Sequence, residues 1–238
     1  MHNVKTILIK ELKSYFNSAI AYIVIIVFLI ISGILFSISF FPNNIASLRD
    51  FFGNFFIQLI LFVVFIPAIT MRSFSEEKKQ GTLELLLTKP IRDTELIAGK
   101  YLAAFLLVCI ALIPTLIYFF AVLYMGPVPF YEVVVGYIAF LLMSAMYVGI
   151  GIFVSSLTEN QIVAFIVSVL IALFFFLVGK FLMILPLPLV SFFEYLTTDY
   201  HFNNITRGVI DSRDVIYYCS MVFFTFYLTK VSLESRKW

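Results

Sequence analysis

The chain has 238 residues, of which 62% are hydrophobic and 13% charged, with a formal net charge of +2. A water-soluble domain is nearer half apolar and a quarter charged, and a core of this size could not hide so much apolar surface, so a bilayer is the solvent that fits. The near-neutral balance, with no long basic run, argues against a nucleic-acid partner.

From the N-terminus, Val4, Ile7, Leu8, Leu12, Tyr15 and Phe16 fall near one helical face, with Lys5, Lys10 and Lys13 elsewhere. The pattern predicts an amphipathic interface helix over residues 1–17, its basic groups near lipid headgroups. Its charge, and the length of the apolar run that follows, do not read as a signal peptide. Six runs then reach the roughly 20 mostly apolar residues that a spanning helix needs. They are 18–41, 51–70, 98–125, 131–154, 161–185 and 214–231. The second, with Gln58 and Pro67, and the sixth, opening on Asp214, are the weakest. Pro67 and Pro114 are expected to kink their helices. GIGIFVSS, Gly149 to Ser156, is expected to permit close helix contact.

Placing the N-terminus in the cytoplasm puts twelve of the sixteen Lys and Arg on the inner side and leaves Arg49, Lys180, Arg207 and Arg213 outside. The asymmetry predicts cytoplasmic termini. Two connections are long: the inner one at 71–97 and an external segment at 186–213, expected to form short helices that dip into the outer leaflet or cover the bundle. No catalytic motif is visible. Cys109 and Cys219 lie in apolar runs without a ligand-spaced partner, so no disulfide or metal site is expected. His2 and His201 fall outside the spans. Lys180 alone is ionisable well inside a run, and it can snorkel outward. Catalytic, cofactor and metal residues are therefore expected to be absent, and proton- or sodium-coupled transport lacks its carrier groups.

The inner connection concentrates the polarity. Ser73 and Glu76 form a capping-box pattern that would start a helix after the second span. Gly81 would end that helix. Thr82 would cap a short helix, LELLLT, which Pro90 ends, and Asp93 would cap a helix running into the third span. Leu83, Leu86 and Leu87 share a face at i, i+3, i+4 spacing. So short a helix cannot persist alone in water. Its apolar face must rest on the membrane interface, the bundle's own ends or another protein, and the flanking charges favour a docked protein.

Arg72 to Ile91, RSFSEEKKQGTLELLLTKPI, closely resembles the cytoplasmic loop of ABC-2-type transporter permeases: an acidic pair (Glu76, Glu77), a basic residue (Lys78), Gly81-Thr82, Glu84, leucines at Leu85, Leu86 and Leu87, then Thr88-Lys89-Pro90. Within that family, Tyr200 to Tyr218 is similar to the region before the last span in the gliding-motility-associated permease subunits. The resemblance implies an all-α membrane protein of the ABC-2, type V exporter kind. It would be one permease domain over 1–238, with six transmembrane helices, an interface helix, a cytoplasmic coupling helix and short external helices before the last span. It further implies a multi-pass protein of the bacterial inner membrane with no cofactor and no enzyme activity of its own. ATP would be bound and hydrolysed on a separate ABC-type ATPase subunit. A second permease chain would complete the pathway, for export of an unidentified substrate linked to gliding motility. The coupling residues would be Glu76, Glu77, Gly81, Thr82, Leu83, Glu84, Leu85, Leu86 and Leu87. The alternative is a membrane anchor of an ATPase-driven machine that transports nothing.

Overall fold

The computed structural model describes residues 2–40, 47–83, 91–181, 194–195, 197–208 and 210–235. All regular structure among them is helical: α1 (His2–Asn17), α2 (Ala19–Phe40), α3 (Arg49–Gly53), α4 (Phe55–Gln58), α5 (Ile66–Thr70), α6 (Arg72–Lys79), α7 (Asp93–Leu112), α8 (Leu116–Met125), α9 (Phe130–Leu157), α10 (Gln161–Phe181), α11 (Thr198–Thr206) and α12 (Ser212–Glu234). Six described stretches are long and apolar enough to cross a membrane: Ala21–Ile38, Phe55–Lys79, Asp93–Tyr124, Phe130–Leu157, Gln161–Phe181 and Ser212–Glu234. They match the six expected spans.

Both prolines sit where the helix leaves α geometry. The segment Leu59–Phe65 is π-helical, and the Ile66 amide bonds back to Leu61 rather than to Phe62. That wider turn precedes Pro67 and makes room for a ring that would otherwise clash with the carbonyl four residues back. Pro114 lies in a 3₁₀ turn, Ile113–Thr115, between α7 and α8. The second span starts later than the apolar run suggests. Asn54 caps α4 by accepting from the amides of Phe56 and Ile57 at 3.0 and 3.3 Å, so Phe51 and Phe52 belong to the short α3 instead.

The fourth span, α9, is the most enclosed of the six. Phe140 on it packs against Phe52, Phe62 and Phe202 at centroid separations of 5.2, 5.6 and 5.7 Å. The first two meet it edge-on, an arrangement that aromatic quadrupoles favour. The expected small-residue contact is present and two-sided. A Cβ at Gly149 would overlap Thr225 on α12, and one at Gly151 would overlap Thr70 at the end of α5. Seven residues on, the Ser156 and Ser232 hydroxyls lie 3.0 Å apart. Gly149 to Thr225 and Ser156 to Ser232 keep the same offset, so α9 and α12 run parallel in fixed register.

Of the segment at 186–213, residues 186–193, 196 and 209 lie outside the described residues, including the apolar run at Leu187, Leu189, Val190, Phe192 and Phe193. The described part forms α11, which enters between the spans. Thr198, His201, Phe202 and Ile205 are buried, the Thr198 hydroxyl donates to the Phe175 carbonyl of α10, and the Tyr218 hydroxyl donates to the Thr198 carbonyl. Protein thus shields its backbone, as a re-entrant segment requires.

Substituting Gly149→Ala is expected to lower stability by about 1–3 kcal/mol through overpacking against Thr225. Adding Thr225→Ala, which removes the overlapping hydroxyl, should restore most of it. Thermal unfolding of the purified variants in detergent checks both.

Candidate functional site

The charged stretch after the second span does not begin with its own cap. Met71 keeps right-handed helical dihedrals and Ser73 makes no cap bond. The Ser73 hydroxyl lies 3.3 Å from that of Tyr15 on α1. The interrupted ladder is closed from elsewhere: Ser155 Oγ on α9 accepts from the amides of Phe74 and Ser75 at 3.0 and 3.1 Å and donates to the Met71 carbonyl at 2.9 Å. A hydroxyl of the fourth span therefore caps α6. The predicted capping box is corrected accordingly, and the second span runs unbroken into the loop as far as Lys79.

The next residues on α6 point three ways. Glu76 takes both nitrogens of Arg72 at 2.9 and 3.1 Å, the (i, i+4) pair on the outer face, while Arg72 also donates to Ser18 at 2.9 Å. Lys78 turns inward and donates to the Ser156 carbonyl, one of the last carbonyls of α9 that lack an intrahelical partner. Glu77 faces α1 and α7, where it meets Lys100.

Lys100 is the centre of the site. Its side chain is 2% exposed. The ammonium lies 3.1 Å from Glu11 on α1, 2.9 Å from Glu77 on α6 and 2.6 Å from the Ser73 carbonyl. It donates to Glu11 and to the Ser73 carbonyl, and Glu77 Oε2 is an ion-pair neighbour without a hydrogen bond of its own. The Phe74 ring adds a face 5.1 Å away. Lys10 lies 3.5 Å from Glu77 and 3.9 Å from Glu11, so two lysines balance two carboxylates. Close by, Ile7 packs where a Cβ on Gly99 would sit, and Asn3 donates to Glu95 at 3.0 Å. Burial pushes the Tyr15 phenol well above its ordinary value, which keeps it protonated beside Ser73. A polar cleft of about 420 Å³, lined by Lys10, Glu11, Arg72, Glu76, Glu77 and Lys100 among others, opens beside this cluster.

Gly81 ends the charged helix as expected. It adopts φ +66°, a left-handed conformation that glycine takes freely. The Thr82 hydroxyl donates to the Glu77 carbonyl at 3.3 Å, closing α6. Leu83, expected on the face offered to a partner, is 3% exposed and belongs to the chain's own core. Glu84, Leu85, Leu86 and Leu87 lie outside the described residues. Where the chain resumes, α7 starts at Asp93, and the cap is Glu95, which accepts from the Arg92 amide at 3.2 Å, rather than Asp93.

Sequence reasoning counted Lys100 only as an inner positive charge and did not single out Glu11. A signal for Lys100 was present: Ile97, Ala103, Ala104, Leu107, Val108 and Ala111 around it are all buried, so it occupies the apolar stripe of its helix. At the far end of the bundle, Lys180 is held 2.8 Å from Asp199 and lies over Phe55 and Phe176, an ion pair rather than a lone snorkelling group. His201 and Asp214 also meet there, 2.6 Å apart and both buried. The spans show no such acid–base pair in sequence, because α11 supplies the histidine from outside them. Among the described residues no cluster of metal-ligating side chains is found.

A protein-family model described as ABC-2 family transporter protein matches residues 46–207, more than half of the chain. The match takes in α3 to α11 and hence the whole of the charged connection. No curated protein matches the chain.

Replacing Lys100 with Met leaves Glu11 and Glu77 facing each other in a mostly enclosed site, and should cost about 3–5 kcal/mol. Adding Glu77→Gln should recover much of the loss. Denaturation of the reconstituted variants measures the cycle.

Proposed function

The chain belongs to the ABC-2 transporter family, and from that premise we propose how its membrane permease domain is driven. A separate ABC-type ATPase binds and hydrolyses ATP in the cytoplasm. It holds the connection between the second and third spans, and two permease chains, two copies of this one or this one and a sister, form the export pathway. The protein sits in the bacterial inner membrane with both termini cytoplasmic. Its cargo is unidentified; the likeness of Tyr200 to Tyr218 to gliding-motility permeases supports a link to that machinery. This chain binds no nucleotide itself.

The observation that carries the reading is the Lys100 cluster. It ties α6, which leaves the second span, to α7, which forms the third, and to α1. A push applied between Gly81 and Ile91 therefore reaches two spans and the interface helix together. Leu83 belongs to the permease's own core, and the docking contact with the ATPase therefore falls to Glu84, Leu85, Leu86 and Leu87. Glu76 and Glu77 serve the joint rather than the partner. In the alternative reading, a transport-free anchor, the same joint would pass ATPase motion to a machine outside the bundle.

Leu85→Asp is expected to abolish co-purification of the ATPase while the permease remains in the membrane. Undiminished co-purification, with transport or motility unchanged, would count against the docking assignment.

A further inference from the structure

A second cleft adjoins the charged joint, between α1 and the start of α6. It is open and measures about 760 Å³. Lys10 and Lys13 of α1 and Arg72 of α6 supply its charge, and Ser14, Asn17 and Ser18 are among its polar groups. Among the described residues no carboxylate lines it. The 420 Å³ cleft beside it is balanced, with Glu11, Glu76 and Glu77 against Lys10, Arg72 and Lys100. Across the two clefts, four cations therefore meet three carboxylates. The unmatched charge belongs to Lys13, which has no acidic partner among the described residues.

Donors converge on this cleft. Lys10, Lys13, Ser14 and Asn17 stand at i, i+3, i+4 and i+7, so they share one face of α1. All four are exposed. Arg72 spends three of its five N–H groups, two on Glu76 and one on Ser18. One hydrogen on each Nη is left without an acceptor among the described residues. A guanidinium fork beside an ammonium and a hydroxyl is suited to phosphate oxygens. The single unmatched positive charge suits a phosphodiester, which carries a single negative one.

The surroundings say what else the ligand carries. Ser18 stands one residue before α2, whose spanning stretch begins at Ala21, so the cleft lies at the level where the chain enters the bilayer. Ser18 and Arg72 also border a narrow apolar crevice with Ala21 and Val24 of α2 and Ala68 and Ile69 of α5. Below it, Tyr22, Ile23, Ile26, Val27 and Ile30 of α2 are exposed. The polar cleft thus opens onto an apolar helix face. We infer that it seats the phosphodiester of one anionic phospholipid, whose acyl chains lie along α2. A choline or ethanolamine head would bring its own cation against Lys10 and Lys13. The cleft therefore selects heads whose charge is phosphate alone, of which phosphatidylglycerol is a simple example. This is more than the attraction of a basic helix to a charged surface, because Arg72 from the second span completes the site. The bound lipid ties α1 to that span, whatever drives the permease.

Native mass spectrometry of the full-length protein, released from detergent with lipid added, tests the site. One phosphatidylglycerol should be retained more tightly than phosphatidylcholine. Lys13→Gln removes the unmatched cation and should weaken that binding about fivefold. Lys5→Gln removes the same charge from an exposed position of α1 outside the cleft and should change it little. Ser14→Trp fills the cleft without altering charge and should displace the lipid. Equal losses in Lys5→Gln and Lys13→Gln, full binding in Ser14→Trp, or equal retention of phosphatidylcholine overturns the inference. Displacement of the lipid by inorganic phosphate or by a glutamate-rich peptide at matched concentration also overturns it, since the occupant would then be a soluble anion or a protein.

Discussion

A lysine ammonium removed from solvent remains charged only if it finds acceptors and the charge is balanced. Lys100, with two acceptors and two carboxylates beside it, draws on three separate pieces of chain: Glu11 from α1, Glu77 and the Ser73 carbonyl from α6, and its own helix α7. Each partner is far away in sequence or across a loop. The requirement therefore fixes where the interface helix lies and how the second span continues into the connection. An apolar residue at position 100 could have filled the space, but it would not have specified which carboxylates must converge. Here the buried charge acts as a registration device: α1, α6 and α7 either assemble in this arrangement or leave a carboxylate stranded.

The rest of that end of the bundle locks onto this joint. Ser155 closes the helix ladder at Met71, Lys78 takes a terminal carbonyl of α9, and Ser156 reaches Ser232 on the sixth span. The glycines at 149 and 151 bring backbones close enough for these short polar side chains to bridge. The charged connection is thus bound to the bundle on two sides, by ions toward α1 and α7 and by hydroxyls toward α9 and α12. A loop held this way transmits displacement, where a loosely tethered one would absorb it. The far end differs. There α11 is seated by the buried Phe202 and Ile205 together with polar contacts around His201 and Asp214.

Much of this architecture could be read directly. Runs of about 20 apolar residues locate spans because the bilayer imposes that length, and Gly81 marks a helix end because of its backbone. The failures share a cause. A Ser-x-x-Glu pattern at 73–76 is local, whereas the cap that forms comes from Ser155, some eighty residues away. Leu83 fits an exposed docking face by period, yet period does not tell which side of a helix meets its own protein. Lys100 with Glu11, and His201 with Asp214, become pairs only when the fold brings them together. The apolar stripe around Lys100 was the one available hint, since a lysine in that position needs a partner.

In the proposed coupling, α1, α6 and the start of α7 move as one body when a partner ATPase cycles. Pulsed electron–electron resonance between spin labels at Lys5 on α1 and Lys79 on α6, in the complex with the ATPase, tests it most directly. The account predicts the same distance distribution without nucleotide and with ATP trapped, while the Lys5-to-Lys5 distance across the paired permeases changes. A nucleotide-dependent shift between Lys5 and Lys79 within one chain would contradict it.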